Sequence, residues 1–268
     1  MVISNYTKFI FKNFYNNKNK NLTIKNSIKK NALSWIFISI IICIISYENV
    51  KNGVFTFIFF IFVSYFYHVY IHLEKNLFTI IHHYHHENDN VFSHIIQLLL
   101  ELSISYPYML LNFFFNINIF NKWIIIFFLL FYSSVHNINY GYFKINNVHK
   151  LHHKKYYKNF GPDICDVIFG TKHKLEQNVE NTNHYIPNTL LCGLIVYLIK
   201  YLYISNAESI YKLTFIVSSL MYLFLVSTSI YLYIYDFTKK HIRKEKYRKR
   251  RVEKYKRKRS EKYFDVLY

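Results

Sequence analysis

Six apolar stretches, at residues 33–48, 53–72, 95–115, 119–138, 188–206 and 212–236, leave this chain little choice of fold. Crossing the hydrocarbon core of a bilayer takes about 20 mostly apolar residues as a helix. A helix is also the only single segment that satisfies its own backbone polar groups in lipid. With 5 Gly and 3 Pro in 268 residues, of which 52% are hydrophobic, the composition excludes a loop-rich sandwich and favours long helices. The expected fold is all-α: a polytopic membrane helical bundle of about four to six spans, topped by a cytosolic, histidine-rich helical cap. The stretch 33–48 is short for a span and suits an interfacial position as well. The stretch 95–115 carries Glu101 and Pro107, and is expected to be broken or partly enclosed by protein.

The formal charge of +19 sits at the two ends. The first thirty residues hold seven Lys and no acid, and Lys239 to Lys262 holds fifteen Lys/Arg against three Glu. The expected division is therefore a basic N-terminal segment (1–32), a membrane domain (33–236) and a basic cytosolic tail (237–268). The positive-inside rule puts both ends in the cytosol. The segment before the first apolar stretch is long and Lys/Asn-rich, and no small-residue cleavage site follows that stretch, so a retained signal-anchor is expected. Cys43, Cys165 and Cys192 are scattered and form neither a disulfide framework nor a metal knuckle. Nucleic acid is not expected as a partner, because no recognition motif accompanies the basic tail.

Histidines interrupt these apolar runs in three compact patterns: His68-x3-His72, His82-x2-His85-His86 and His149-x2-His152-His153. Residues i, i+3 and i+4 share a helix face, so three helical faces would present two, three and three imidazoles. Under a six-span topology all three clusters land on the cytosolic side. Eight imidazoles exceed what one octahedral ion accepts and suit two transition-metal ions, iron, zinc or copper rather than magnesium or calcium. His136, at the end of the fourth apolar stretch, returns to the same rim and is a ninth candidate ligand. His83, His94, His173, His184 and His241 read as packing or interfacial residues. Two other readings of the clusters stay open, a histidine-rich polar rim and a metal-transport site, although transporters hold their ions near the bilayer midplane.

The three patterns resemble the histidine boxes of the fatty acid hydroxylase/sterol desaturase superfamily, whose order is H-x3-4-H, H-x2-H-H and a later H-x2-H-H. Leu77-Phe78 stands where that family often has a Leu-aromatic pair between the first two boxes. Asn159-Phe160-Gly161 and Asp166-x2-Phe169-Gly170-Thr171 stand where it has N-Y-G and D-x-x-F-G-T elements. The likeness covers about residues 55–173. Some relatives carry a further H-x3-H before the last box, whereas here His136 is followed by Tyr140.

The resemblance implies a non-haem pair of iron ions held by His68, His72, His82, His85, His86, His136, His149, His152 and His153. It further implies use of O2 to hydroxylate or desaturate a membrane lipid, a sterol or a fatty acyl or sphingoid chain, in the endoplasmic reticulum membrane. Electrons would come from an external donor such as cytochrome b5. Glu74, Glu87, Asp163 and Asp166 are candidate carboxylates for orienting the ligands. Asn159 and Gly161-Pro162 read as a turn closing the third box, and Gly170 as the end of a short helix. The basic tail suits anionic lipid or an acidic electron carrier. Two alternatives complete the expectations, a metal transporter and an inactive structural member of the family, the latter suggested by Tyr140.

Overall fold

A computed structural model of the chain describes residues 20–235, apart from 74–75, 89, 116–118, 146, 174–178, 206–212 and 214–215, together with 238. Most of the basic N-terminal segment and the basic tail, with His241, lie outside the described residues, as does Glu74. The described residues are helical and contain no strand. In chain order the helices are α1 (Lys20–Lys30), α2 (Ala32–Ile45), α3 (Val50–Leu73), α4 (Leu77–Glu87), α5 (Val91–Leu102), α6 (Tyr106–Phe115), α7 (Lys122–Ser134), α8 (Asn147–Lys154), α9 (Asp163–Phe169), α10 (Ile186–Ser205) and α11 (Ile216–Tyr235).

Asparagine punctuates these helices in place of the scarce Gly and Pro. Asn76 caps α4 by accepting from Phe78 N–H (2.9 Å) and Thr79 N–H (3.0 Å), and Asn90 caps α5 by accepting from Ser93 N–H (2.8 Å). Asn121 opens α7 by accepting from the amides of Trp123 and Ile124. Each such cap satisfies otherwise orphaned amides and is worth about 1 kcal/mol. The caps of α4 and α5 fix where these short helices begin, and so fix the phase of the histidines that follow.

Among the described residues, four helical segments are long and apolar enough to cross a membrane: Val50–Leu73, Lys122–Tyr142, Thr182–Tyr203 and Ile216–Tyr235. The expected span at 33–48 is instead one arm of a bent pair, Thr23–Lys30 and Ala32–Ile45, with an angle of 65° between them. The stretch 95–115 is broken by a 3-10 turn at Ser103–Ser105 into α5 and α6, and does not qualify as a span by length and composition. The reason is chemical. α5 places Ser93, Gln97 and Glu101 on its buried face, where protein rather than lipid receives them.

Two contacts set the direction of the central pair. Asn52 Nδ2 donates to Ile119 O (3.1 Å), and Thr56 Oγ1 accepts from Asn121 N–H (3.0 Å). α3 and α7 thus start side by side and end together, the first at His68 and His72, the second at His136. Phe57 packs between Phe127, Phe128 and Phe131 with ring centroids 5.6–6.5 Å apart. Such interlocking matters because lipid offers no hydrophobic drive between helices, leaving packing and hydrogen bonds to hold them. α2 and α10 also run alongside. The hydroxyls of Ser34 and Thr182 meet at 2.5 Å at one end, and Lys200 Nζ donates to Ile45 O (2.8 Å) and Glu48 (2.6 Å) at the other. Gly193 makes that crossing close, since a Cβ there would sit 2.7 Å from Ile41. α11 seals the far side, with Leu225 and Leu232 packed on Ile71, Ile81, Ile96 and Leu100.

Candidate metal centre

The histidines converge beyond the ends of α3 and α7, roofed by α4 and α8. Nine rings form two adjacent foci. Ligand-capable nitrogens of His68, His72, His82, His86 and His152 lie within 4.8 Å of one another, as do those of His85, His149 and His153. His136 joins the second group, its ring centroid 4.4 Å from His149 and 5.7 Å from His85. The foci touch where the rings of His86 and His153 stack at 4.1 Å.

Helix geometry explains the partition. At about 100° per residue, i and i+4 nearly eclipse while i+3 points about 60° to the other side. On α4 the i,i+4 pair His82/His86 serves the first focus and His85 the second. On α8 the assignment is reversed: His149/His153 serves the second focus and His152 the first. The expectation that each H-x2-H-H forms a single face is thereby refined. Each box straddles both foci, and the two boxes do so in opposite sense.

Hydrogen bonding fixes the tautomers. His68 Nδ1 donates to Phe160 O (2.6 Å), and His152 Nδ1 donates to Lys158 O (2.8 Å). Gln97 Nε2 donates to Glu101 (3.0 Å), which turns Gln97 Oε1 toward His82 Nδ1 at 3.0 Å. A carbonyl or amide oxygen only accepts, so all three rings are protonated at Nδ1 and carry a lone pair at Nε2. Yet His68 Nε2 and His82 Nε2 face each other at 3.1 Å, with neither holding a proton to share. Two lone pairs at that distance repel, and a cation between them reverses the sign. The neighbouring Nε2 contacts, His72 to His82 at 2.8 Å, His82 to His86 at 3.0 Å and His72 to His152 at 3.1 Å, have the same spacing. With metal–imidazole bonds of about 2.1 Å, two ligands at right angles lie about 3.0 Å apart. The buried, unpartnered ring nitrogens of His85 and the Nε2 of His136 complete a donor set that fits metal.

Burial keeps His82, His85, His149 and His152 neutral. Desolvation, reinforced by neighbouring imidazoles, pushes His82 and His149 far below the ordinary imidazole range, His85 to about 2 and His152 to about 3. Neutral imidazole is the form that ligates metal.

Glu101 is the residue that sequence reasoning missed. It is buried on α5, accepts from His136 Nδ1 and from Asn137 Nδ2 (3.0 Å), and holds Gln97. One carboxylate therefore orients His136 of the second focus directly and His82 of the first through Gln97. A carboxylate at i+4 from Gln97 inside an apolar run was the available signal, since charge at such depth marks function by default. The backbone carbonyls of Phe160 and Lys158 left no sequence signal at all.

The loop carrying Phe160 is clamped by Asp166, whose carboxylate accepts from Phe160 N–H (2.9 Å), Gly161 N–H (2.7 Å) and Thr171 Oγ1 (2.6 Å). Tyr65 on α3 contacts Thr171 at 2.8 Å, closing the frame. Gly170 ends α9 in the left-handed region (φ 72°), as its position suggests. Asp166 thus acts on His68 through the loop. Asp163 pairs with buried Lys172 instead of a histidine, and Glu87 is exposed. His173 contacts Lys155 (3.3 Å) and His184 lies 3.7 Å from Glu180, both away from the foci. His83 faces Tyr156 at 5.8 Å, whereas His94 approaches His85 to 5.2 Å, nearer the second focus than a packing role required. Tyr140 lies flat against His149, with centroids 5.7 Å apart at 15°, and does not displace it.

A cavity of about 100 Å³ opens beside the foci, touching His68, His136 and His149 and descending between Ile38, Phe57, Ile61 and Phe131.

Comparison with curated proteins and with solved structures gives no match. A sequence model of the fatty acid hydroxylase family matches residues 53–171. That segment runs from the start of α3 to Thr171, and so holds all nine converging histidines, Glu101 and the Asp166 clamp. Residues 53–171 thus carry a fatty acid hydroxylase domain, which supports membership of the chain in the fatty acid hydroxylase/sterol desaturase superfamily.

Proposed function

We propose that the protein is a membrane-bound di-iron oxidoreductase that uses O2 to hydroxylate or desaturate a lipid in lipid biosynthesis. The observation that carries this reading is the gathering of ligand-capable imidazoles in two foci beside an apolar cavity, with unprotonated Nε2 atoms of His68, His82 and His152 in the first. In it, His68, His72, His82, His86 and His152 hold one ion, and His85, His136, His149 and His153 the other. The ions, when bound, supply the O2 activation and one-electron chemistry that no side chain offers, since an unactivated C–H bond is far too weak an acid for His or Glu.

The chain's own residues supply the rest. Phe160 O, Lys158 O and the Gln97–Glu101 pair fix ring orientation and tautomer, which raises ligand basicity and affinity. The aromatic walls of the cavity exclude water and hold a lipid chain against the histidine end. A cap outside the span ends leaves the lipid to enter from the bilayer while electrons arrive from the aqueous side. A cytochrome b5-type donor, a cytosolic orientation of the boxes and residence in the endoplasmic reticulum belong to the same reading.

The test is 18O2 labelling of membranes containing the wild-type chain or His85→Ala, with a reductant and lipid analysis. Label or a new double bond in one lipid class, lost in the variant, is expected. A folded, iron-loaded protein that alters no lipid would falsify the reading, and metal flux in its place would identify a transporter.

A further inference from the structure

Three of the nine converging rings, His86, His149 and His153, are only half-buried, whereas the other six are buried. His86 and His153 stand where the two foci touch, and a third ring continues their stack outward. Tyr156 lies over His86 with centroids 5.0 Å apart at 27°, as His86 lies over His153 at 4.1 Å and 22°. Tyr156 is itself half-buried. These rings form one column that runs from the protein surface to a histidine of each focus. The turn after α8 builds it. Lys158 N–H donates to Lys155 O (3.0 Å), which sets Tyr156 and Tyr157 at the tip of the turn. Tyr156 folds inward onto His86, and Tyr157 is 53% exposed. The carbonyl of Lys158, which holds His152, belongs to the same turn and fixes it against the histidine cap.

The charge around the outer ring is positive. Lys150 and Lys154 share a face of α8 at i and i+4, and Lys155 and Lys158 bracket the turn. Lys150, Lys154 and Lys155 are exposed. Residues 102–162 contain no Asp or Glu, and Glu87, at the end of α4, is an acid near Tyr156. We propose that Tyr156 is the port through which electrons enter, and that the lysines around it dock an acidic protein that donates one electron at a time. This deepens the proposed oxygenase reading and rests on it, since that reading needs electrons from outside the chain. Each transfer oxidises the donor by one electron and reduces the metal centre by one, with no bond made or broken. A donor seated on the turn reaches both foci through two ring contacts. The rings of His68, His82 and His136 are instead backed by Phe160 O, Gln97 and Glu101. An anionic lipid surface would match the lysines but has no use for the ring column, which favours a redox protein.

The test separates docking from transfer. The probe is an acidic haem domain of the cytochrome b5 type, mixed in its reduced form with the full-length, iron-loaded protein in detergent. Affinity is read by thermophoresis, and transfer by the rate of haem oxidation at saturating donor. Lys154→Glu combined with Lys155→Glu is expected to weaken binding about tenfold at low salt, through two lost exposed ion pairs and the repulsion that replaces them. The difference should shrink as salt rises. Lys51→Glu, exposed at the opposite end of α3, should change neither readout. Tyr156→Leu should bind the donor as wild type does and keep its metal, yet take up electrons more slowly. Tyr156→Phe, which keeps the ring, should match wild type. A wild-type rate in Tyr156→Leu, or metal loss like that of His86→Ala, overturns the port and makes the ring a cover. Donor affinity insensitive to the lysine pair overturns the docking surface, and altered retention of anionic lipid in its place would mark a membrane contact. Tyr156-dependent reduction with no lipid oxidised would keep the port and overturn the oxygenase reading; lipid oxidation at equal rates in wild type and Tyr156→Leu would do the reverse.

Discussion

Glu101→Ala is the substitution with the largest expected consequence outside the histidines. The carboxylate receives three donors: His136 Nδ1, Asn137 Nδ2 and Gln97 Nε2. Truncation leaves all three in a buried setting without an acceptor. At about 1–3 kcal/mol per orphaned donor, partial relaxation leaves a loss of about 3–5 kcal/mol. Glu101→Gln keeps an acceptor for His136 and Gln97 and clashes only with the amide of Asn137, a loss of about 1–2 kcal/mol. The metal effect is separable from the stability effect. His136 loses its orienting partner directly, and His82 loses it through Gln97. Removal of such a support typically lowers metal affinity about 10–100-fold. The assay is thermal unfolding of purified protein in detergent, paired with metal-to-protein ratio after dialysis against a graded chelator. Glu101→Ala should melt lower and release metal at lower chelator, and Glu101→Gln should fall between it and wild type. If Glu101→Ala matches wild type in both, the carboxylate does not link the two foci and the tautomer argument for His82 fails with it.

Three further outcomes follow from the same geometry. Asp166→Ala, which strips the acceptor from Phe160 N–H, Gly161 N–H and Thr171, should cost about 3 kcal/mol; it should also lower metal retention through His68, read by the same chelator titration, and unchanged retention would show that the loop does not hold the ring. His86→Ala should lower the metal-to-protein ratio and His83→Ala should leave it unchanged, since His83 lies outside both foci; equal losses would refute the assignment. Metal-stripped protein should be most stable above about pH 6.5 and weaken below it, because unfolded imidazoles take protons there while folded His85 and His152 resist until about 2 and 3. Folded pKa values lie below unfolded ones, so the unfolded state binds more protons and stability falls with pH, by about 1.4 kcal/mol per unit for each such ring; equal urea midpoints at pH 8 and pH 5.5 would contradict the burial of these rings.

Much of the site could be read from residue order because its logic is local. Histidine at i, i+3 and i+4 on a short helix shares a face whatever surrounds it, and the nine positions singled out come together, with His94 beside them at 5.2 Å from His85. The long spans were equally readable, since twenty apolar residues have few other uses. The stretch with Glu101 and Pro107 invited a broken helix, and it is broken at Ser103–Ser105.

What the residue order alone determined is therefore the helical class, the apolar runs and the supply of ligand-capable nitrogens. Only the tertiary structure decided how those nitrogens divide. The five-and-four partition depends on the angles at which α4 and α8 meet the ends of α3 and α7, and no spacing within one helix encodes an angle between two. The tautomers likewise depend on carbonyls of Phe160 and Lys158 and on a glutamate from another helix, brought into contact by packing. A hydrogen bond to a backbone oxygen has no residue signature, because every residue carries that oxygen and only the fold chooses which one faces the ring.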